Sequence, residues 1–511
     1  MKRILYIAIT AIVLSTTMTF AQDRYDALRW SQHFYDGTAR FSSMGGSFGA
    51  LGGDFAALSV NPAGIGVYRS AEFTLTPSYL STNTKSAFAN QSSFSKTKDR
   101  GDFNFGYVQP FILRNDDNGL VSFNVGIGYN TMADYSYNSF AYNELDGYNS
   151  SNPNFSLLDV LADKATKRYN YYDPTYMEAN NRYSEFYPSE WDVVLAWNNA
   201  LIEDDLAGGF YPVLGNSDRI EQRRLIESKG KNSELVFNFG GNYANKLYFG
   251  LTIGVQDINY KKYVTHQEDV TYTDISAPTD LIWFQYQQYF ETQGAGFNMK
   301  LGLIYRHDDN WRFGLAIHTP TWMNLTDYYQ AGLVSEFKSD SQLYDPDITP
   351  TNEYDYKVNT PARYNLSAAY LFPNQFGAVN IDYEFVDYST IKMNDRDKMS
   401  GGNSFASENN ILKKEFTGVS NIRLGAEIKP IPNFAVRAGY AFYGNPYDSG
   451  DLGSDTQIYS FGLGYRIDGF FVDAAYKYST AKSNYSIFQN SNSISEKYNT
   501  NQVLLTVGFR F

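Results

Sequence analysis

The sequence runs to 511 residues, of which 19% are charged and 17% aromatic, with 44 tyrosines and 37 phenylalanines, an aromatic load far above that of a soluble enzyme. Its formal charge of −13 repels phosphate backbones and excludes nucleic acid as a partner. With no cysteine, the chain has no disulfide, no thiolate chemistry and no lipid-modified N-terminal cysteine.

Residues 1–21, "MKRILYIAITAIVLSTTMTFA", place Lys2 and Arg3 before an apolar stretch and set Thr19 and Ala21 at the small-residue positions before a cut. This layout predicts a secretory signal peptide and a mature chain starting near Gln22, the apolar run being too short for a membrane-spanning helix. Residues 22–69 show no sustained alternation and are too short for a domain of their own. Within them "MGGSFGALGGDFAALSVNPAGIGVYRS" carries seven glycines in 27 residues. Such backbone freedom suits a compact plug that turns tightly and approaches a wall. No strand precedes "GSFGALG" and no βαβ unit follows it, so a phosphate-cradling loop is disfavoured.

From residue 70 onward the dominant signal is strand alternation. In "GLVSFNVGIGYN", Val121, Phe123, Val125, Ile127 and Tyr129 alternate with Ser122, Asn124, Gly126, Gly128 and Asn130. Fourteen such segments follow one another, from 70–80, 103–113 and 119–130 to 470–480 and 502–511, most matching the ~9–11 residues of a tilted spanning strand. Connections alternate strictly between short turns ("NDDN", "NK", "HDDN", "PNQ", "PIPN", "DG") and long loops, as in outer-membrane barrels and unlike soluble sandwiches. The expected fold is all-β: a 14-stranded antiparallel transmembrane barrel over 70–511, with residues 22–69 as a hatch in its lumen and both termini periplasmic.

The second outer loop, 131–233, contains two segments with helical spacing. "NFSLLDVLADKA" puts Leu157, Leu158 and Leu161 on one face behind Ser156, and "PSEWDVVLAWNNALI" gathers Trp191, Val194, Leu195 and Leu201 after Pro188. They pack on each other and on the barrel rim, and Leu158, Leu161, Trp191 and Leu195 are the candidate residues for capturing a hydrophobic ligand. "EWDVVLAW" also reads as a strand. By alternation Arg363, Arg423, Arg437 and Arg466 point into the lumen with Asp382, Glu384, Glu427 and Asp473, either as cross-strand pairs or as receivers of a ligand carboxylate. His33, His266, His307 and His318 stand at no metal-ligand spacing, so no catalytic residue, metal or cofactor is expected.

The stretch "ARFSSMGGSFGALGGDFAALSVNPAGIG" resembles the N-terminal signature of the FadL/TodX family of outer-membrane transporters for hydrophobic molecules. "NTPARYNLSAAYLF", "NFAVRAGYAFYGNPY" and "IYSFGLGYRIDGFFVDAAYKYS" are similar to that family's C-terminal strands. The resemblance implies a fourteen-stranded barrel, an internal hatch, and passage of long-chain fatty acids or aromatic hydrocarbons. Asn61, Pro62 and Ala63 match the hatch motif; with Gly64 they make a rigid knot flanked by flexible joints, proposed to seat the plug. The family's path leaves sideways through the wall, for which Pro110, Gly126 and Gly128 are candidates because each weakens strand pairing. The long second outer loop departs from the family pattern. The expected partners are a hydrophobic small molecule, outer-membrane lipids and lipopolysaccharide, around a monomer. A haemin receptor, a general porin and a scaffold or secretion-accessory barrel are the alternatives.

Overall fold

The computed structural model describes residues 24–99, 101–113, 118–148, 156–167, 183–204, 209–215, 218–271, 280–338, 346–396, 404–450, 452–488 and 491–511. The expected signal peptide and most of the "NDDN" turn lie outside the described residues.

Fourteen antiparallel staves close into one barrel. They are β1 (Glu72–Phe88), β2 (Gln91–Asp99 continued by Phe103–Ile112), β3 (Leu120–Asp134 continued by Tyr137–Leu145), β4 (Arg219–Tyr243), β5 (Leu247–Thr271), β6 (Leu281–Arg306) and β7 (Trp311–His318 continued by Trp322–Phe337). β8 (Asn352–Asn359 continued by Arg363–Leu371), β9 (Gly377–Asp387 continued by Lys392–Asp395), β10 (Gly418–Ile431), β11 (Phe434–Tyr443), β12 (Thr456–Ile467), β13 (Phe470–Ser486) and β14 (Ser493–Arg510) complete the ring. Closure is direct: β1 pairs with β14 from Glu72↔Arg510 to Phe88↔Ile494. The breaks in β7 and β8 fall side by side at Pro320 and Pro361, whose missing N–H groups cannot continue a ladder.

Alternation sorts the two faces. Phe123, Ile127, Leu301, Leu303, Phe313 and Leu315 point outward and are exposed, whereas Asn124, Asn130, Thr252 and Asn298 point inward and are buried. β4, β5 and β6 run 25, 25 and 26 residues, twice a membrane crossing, so their upper halves stand clear of the apolar band. The expected loop 131–233 is accordingly shorter than its sequence suggests, because its flanks are ladder, Tyr137–Leu145 on Ile220–Ser228. It carries the helices α3 (Leu157–Thr166) and α4 (Trp191–Asn198), so "EWDVVLAW" is helix and not strand.

The N-terminal segment fills the lumen. α1 (Arg24–Ser31) and α2 (Ala39–Ser43) are followed by 3-10 turns at Ala56–Ser59 and Pro62–Val67. Trp30 meets Tyr135 and Tyr260 edge-on at 5.5 and 5.4 Å, on the same side as the long loops. From there the described chain descends through the lumen to β1.

Candidate functional site

The Asn-Pro-Ala stretch forms the seat of the plug. Asn61 caps the 3-10 turn, its Oδ1 accepting from the Ala63 N–H at 3.1 Å, while its Nδ2 donates to the carbonyls of Gly49 at 2.6 Å and of Leu303 on β6 at 3.2 Å. His318 Nε2 donates to the Val60 carbonyl at 2.9 Å. The wall behind is bare glycine. A Cβ on Gly302 would lie 2.0 Å from Asn61 Oδ1, one on Gly250 2.3 Å from the Pro62 carbonyl, and one on Gly314 2.3 Å from the Gly49 carbonyl oxygen. Glycine in a strand interior marks close backbone approach, and here the plug backbone lies on the strand backbone.

Two sequence expectations change at this seat. The flexible joints lie only before the knot: within the plug the left-handed glycines are Gly45, Gly46, Gly52 and Gly53, while Gly64 is required by contact, its Cβ position 3.1 Å from the Gly52 Cα. Pro110, Gly126 and Gly128 do not open the wall either. β2 and β3 pair without a break from Phe105↔Tyr129 to Ile112↔Ser122, Pro110 opposite Asn124 included. A Cβ on Gly128 would meet the Phe55 ring at 2.2 Å and one on Gly126 would meet Ile65 at 3.1 Å, so these glycines make room for the plug.

The lumen charges pair. Arg363 meets Glu384 at 3.1 Å, Arg423 lies 3.7 and 3.5 Å from Asp382 and Glu384, and Arg437 bridges Glu427 and Asp473 at 2.6 and 2.5 Å. Arg40 of the plug joins Glu427 at 3.1 Å, and Arg466 stacks on Phe471 at 5.0 Å. The glycine-rich loop does cradle an anion, but it is the wall's own: the Phe48 and Gly49 N–H groups donate to Asp382 at 3.0 and 3.1 Å. Within the plug, burial pushes the Asp54 carboxyl up to about 6, and it accepts from Thr38 Oγ1 and the Ala56 N–H. Burial, with Arg363 adding to it, lowers the His33 imidazole well below its ordinary value and keeps it neutral.

Above the plug lies a cavity of about 730 Å³ whose walls include Tyr25, Leu28, Phe34, Tyr135, Tyr260 and Phe290. Its lining mixes rings with polar groups, and Arg29 sits 4.5 Å over the Tyr260 ring. The cavity also reaches a defect in the wall that alternation does not reveal. At Gly101, φ +71°, β2 bulges, and its outer part Gln91–Asp99 pairs with β1. Among the described residues no ladder pair joins Gln91–Asp99 to the adjacent Tyr137–Leu145 of β3. Side chains close the gap instead: Asp102 takes the Lys231 ammonium at 2.7 Å and a hydrogen bond from Thr131 Oγ1. Asp102, Phe103, Asn104, Thr131 and Ala133 line the cavity at this seam.

Leu158, Leu161, Trp191 and Leu195 come together in one apolar cluster with Phe210, Leu281, Phe284 and Leu333. They are the core of a cap over β5–β7 and do not line the cavity: Leu158 and Leu195 are 0% exposed, and Trp191 Nε1 donates to the Tyr183 carbonyl at 2.9 Å. Glu268 anchors the cap by accepting from Ser156 Oγ and from the Leu157 N–H at 3.0 Å. Leu158→Asp places an unpaired carboxylate in this core, at a cost of several kcal/mol. Limited proteolysis should therefore cut the variant within 183–204 while its heat-modifiable barrel band persists on gels; an unchanged cleavage pattern would show that the cap does not depend on this cluster.

The family model for outer membrane protein transport proteins (OMPP1/FadL/TodX) matches residues 238–511. Among solved structures, a Pseudomonas aeruginosa FadL homologue superposes with a TM-score of 0.54 at 12% identity, covering 94% of this chain and all of that one. The P. putida toluene transporter TodX gives 0.50 at 13% identity, covering 94% and 99%. No curated protein matches the chain in sequence. At such identities the likeness is one of fold, including the segment held inside the barrel.

Proposed function

The chain belongs to the OMPP1/FadL/TodX family of outer-membrane transport proteins, and from that premise we propose that it carries hydrophobic small molecules, such as long-chain fatty acids, inward across the outer membrane. The long loops face the exterior and the short turns the periplasm. Residues 22–69 act as a hatch, seated on the glycine wall through Asn61, Pro62, Ala63 and Gly64. Ligand enters beneath the cap that Leu158, Leu161, Trp191 and Leu195 hold together and lodges in the ring-lined cavity. It shifts the segment before the knot and leaves sideways between β2 and β3.

The observation that carries this reading is the contact between the cavity and the foot of the unpaired seam, where Asp102 lies level with Ser78 at the edge of the apolar band, since an apolar molecule that exits there never crosses the charged belt around the plug. Arg363, Arg423 and Arg437 are committed to wall carboxylates, which argues against them as receivers of a ligand carboxylate. The seam is tested by an Asp102→Cys/Thr131→Cys pair, whose side chains already touch. Oxidation should abolish uptake of radiolabelled oleate and reductant should restore it. Full uptake by the oxidised pair would remove the lateral exit. Organic extraction of the purified protein followed by mass spectrometry identifies the ligand class.

A further inference from the structure

We propose that the outer face of β13, β14, β1 and the upper half of β2 binds the phosphorylated headgroup of lipopolysaccharide. Strand register puts Lys482 opposite Lys497 and Lys497 opposite Lys85, three like charges side by side on three neighbouring strands. Strands lie about 4.8 Å apart, and like charges directly opposite one another repel. Phe94 stands opposite Lys85, Lys96 opposite Asn83 and Lys98 opposite Ser81, on the same outward face. Lys85, Lys96, Lys98, Lys482 and Lys497 are all exposed, and none forms an ion pair with another described residue. The outward neighbours Asn83, Ser495, Asn499, Asn501 and Thr480 supply no carboxylate. On another part of the rim Arg223 meets Asp269 at 2.9 Å and Lys261 meets Glu291 at 3.0 Å. In a chain of net charge −13, a repelling lysine row without ion pairs among the described residues calls for an anion from outside.

Its height selects the anion. The apolar band ends at Tyr79, Val503 and Tyr476, which are mutual neighbours. Lys98 stands level with Ser81, two residues above Tyr79, and Lys85 stands six above it. With a rise of ~3.3 Å per residue and a strand tilt near 40°, the lysines span about 5 to 15 Å beyond the aromatic edge. That is the headgroup zone of the leaflet on the long-loop side, and Lys is a ready phosphate ligand. Phe94, 75% exposed with Lys85 5.5 Å over its ring, adds an aromatic surface for the sugar. The assignment rests on the reading that the long loops face the exterior, where the outer leaflet carries this glycolipid.

The test uses purified full-length barrel, lipid A with and without its phosphates, and native mass spectrometry. Wild type should retain phosphorylated lipid A at least tenfold better than the dephosphorylated form, and added salt should weaken retention. A variant with Lys85, Lys96, Lys98, Lys482 and Lys497 all changed to Gln should lose that preference while keeping its heat-modifiable band; changing Lys229 and Lys392 to Gln should leave it intact. Equal retention by the five-fold variant, or no preference for phosphate, overturns the proposal. A Lys96→Cys variant labelled on intact cells with a membrane-impermeant reagent separates the premises: no labelling overturns the orientation and this site with it, whereas labelling with unchanged lipid A binding overturns this site alone.

Discussion

Removing residues 22–60 should turn a closed barrel into an open one, raising conductance in planar bilayers by about an order of magnitude and abolishing selective hydrophobic uptake, because a fourteen-stranded barrel is too wide for its own side chains to fill. The plug does the filling: Phe41, Phe48, Phe55 and Leu58, each no more than 1% exposed, occupy the lumen from wall to wall. The wall should survive their loss. Its ladder closes through β1 and β14 without the plug, and Arg363–Glu384 and Arg437–Asp473 are pairs between wall residues. What changes is hydration, since Asp382 loses the Phe48 and Gly49 donors and Glu427 loses Arg40, and both then face water. A truncated barrel that folds yet conducts no more than the intact protein would place the closure elsewhere and remove the hatch from the mechanism.

How far the sequence was legible follows from where a strand has two different faces. In the spanning halves one face meets lipid and the other a packed lumen, so Phe123 and Ile127 alternate with Asn124 and Gly128 and the strand count can be read off. Above the membrane the outer face meets water, and the buried inner face mixes polar with apolar groups, Gln222 and Ser228 beside Ile220 and Ile226. The upper parts of β4–β6, such as "RIEQRRLIESKGKN", keep their ladder but lose the alternation, and the sequence there reads as loop. The helices of the cap were visible because Ser156 and the leucine spacing are local signals. The seam was not, because it depends on which strand Gln91–Asp99 chooses as partner, and "QSSFSKTKD" is polar enough to suit either. The glycines of the wall were present in the alternation as inward positions; their meaning became clear only with the plug set against them. For Gly126 and Gly128 the same property, a missing side chain, was open to two readings, weakened pairing or close approach, and the packing of Phe55 and Ile65 selects the second.

Gly302→Val should lift the knot off its seat and raise conductance towards that of the truncated barrel. The new Cβ would stand 2.0 Å from Asn61 Oδ1 and 3.0 Å from the Ala63 nitrogen, well inside contact distance. On the wall side nothing gives way, because Gly302 is held in register between Gly250 on β5 and Ala316 on β7, and a β-branched residue favours the strand conformation. The plug must therefore move, and moving it breaks the bond from Asn61 Nδ2 to the Leu303 carbonyl of the wall. Each buried polar group left without a partner costs roughly 1–3 kcal/mol. Asn61→Leu removes the same plug–wall bond from the other side, so the two substitutions combined should open the barrel no further than either alone, a non-additivity expected of partners in one contact. Gly332→Val serves as the control, its Cβ meeting its nearest atoms at an ordinary 3.4 Å, and it should leave conductance unchanged. If Gly302→Val stays closed and imports ligand normally, the glycine wall is not the seat, and the Asn-Pro-Ala knot is only a turn on the way to the first strand.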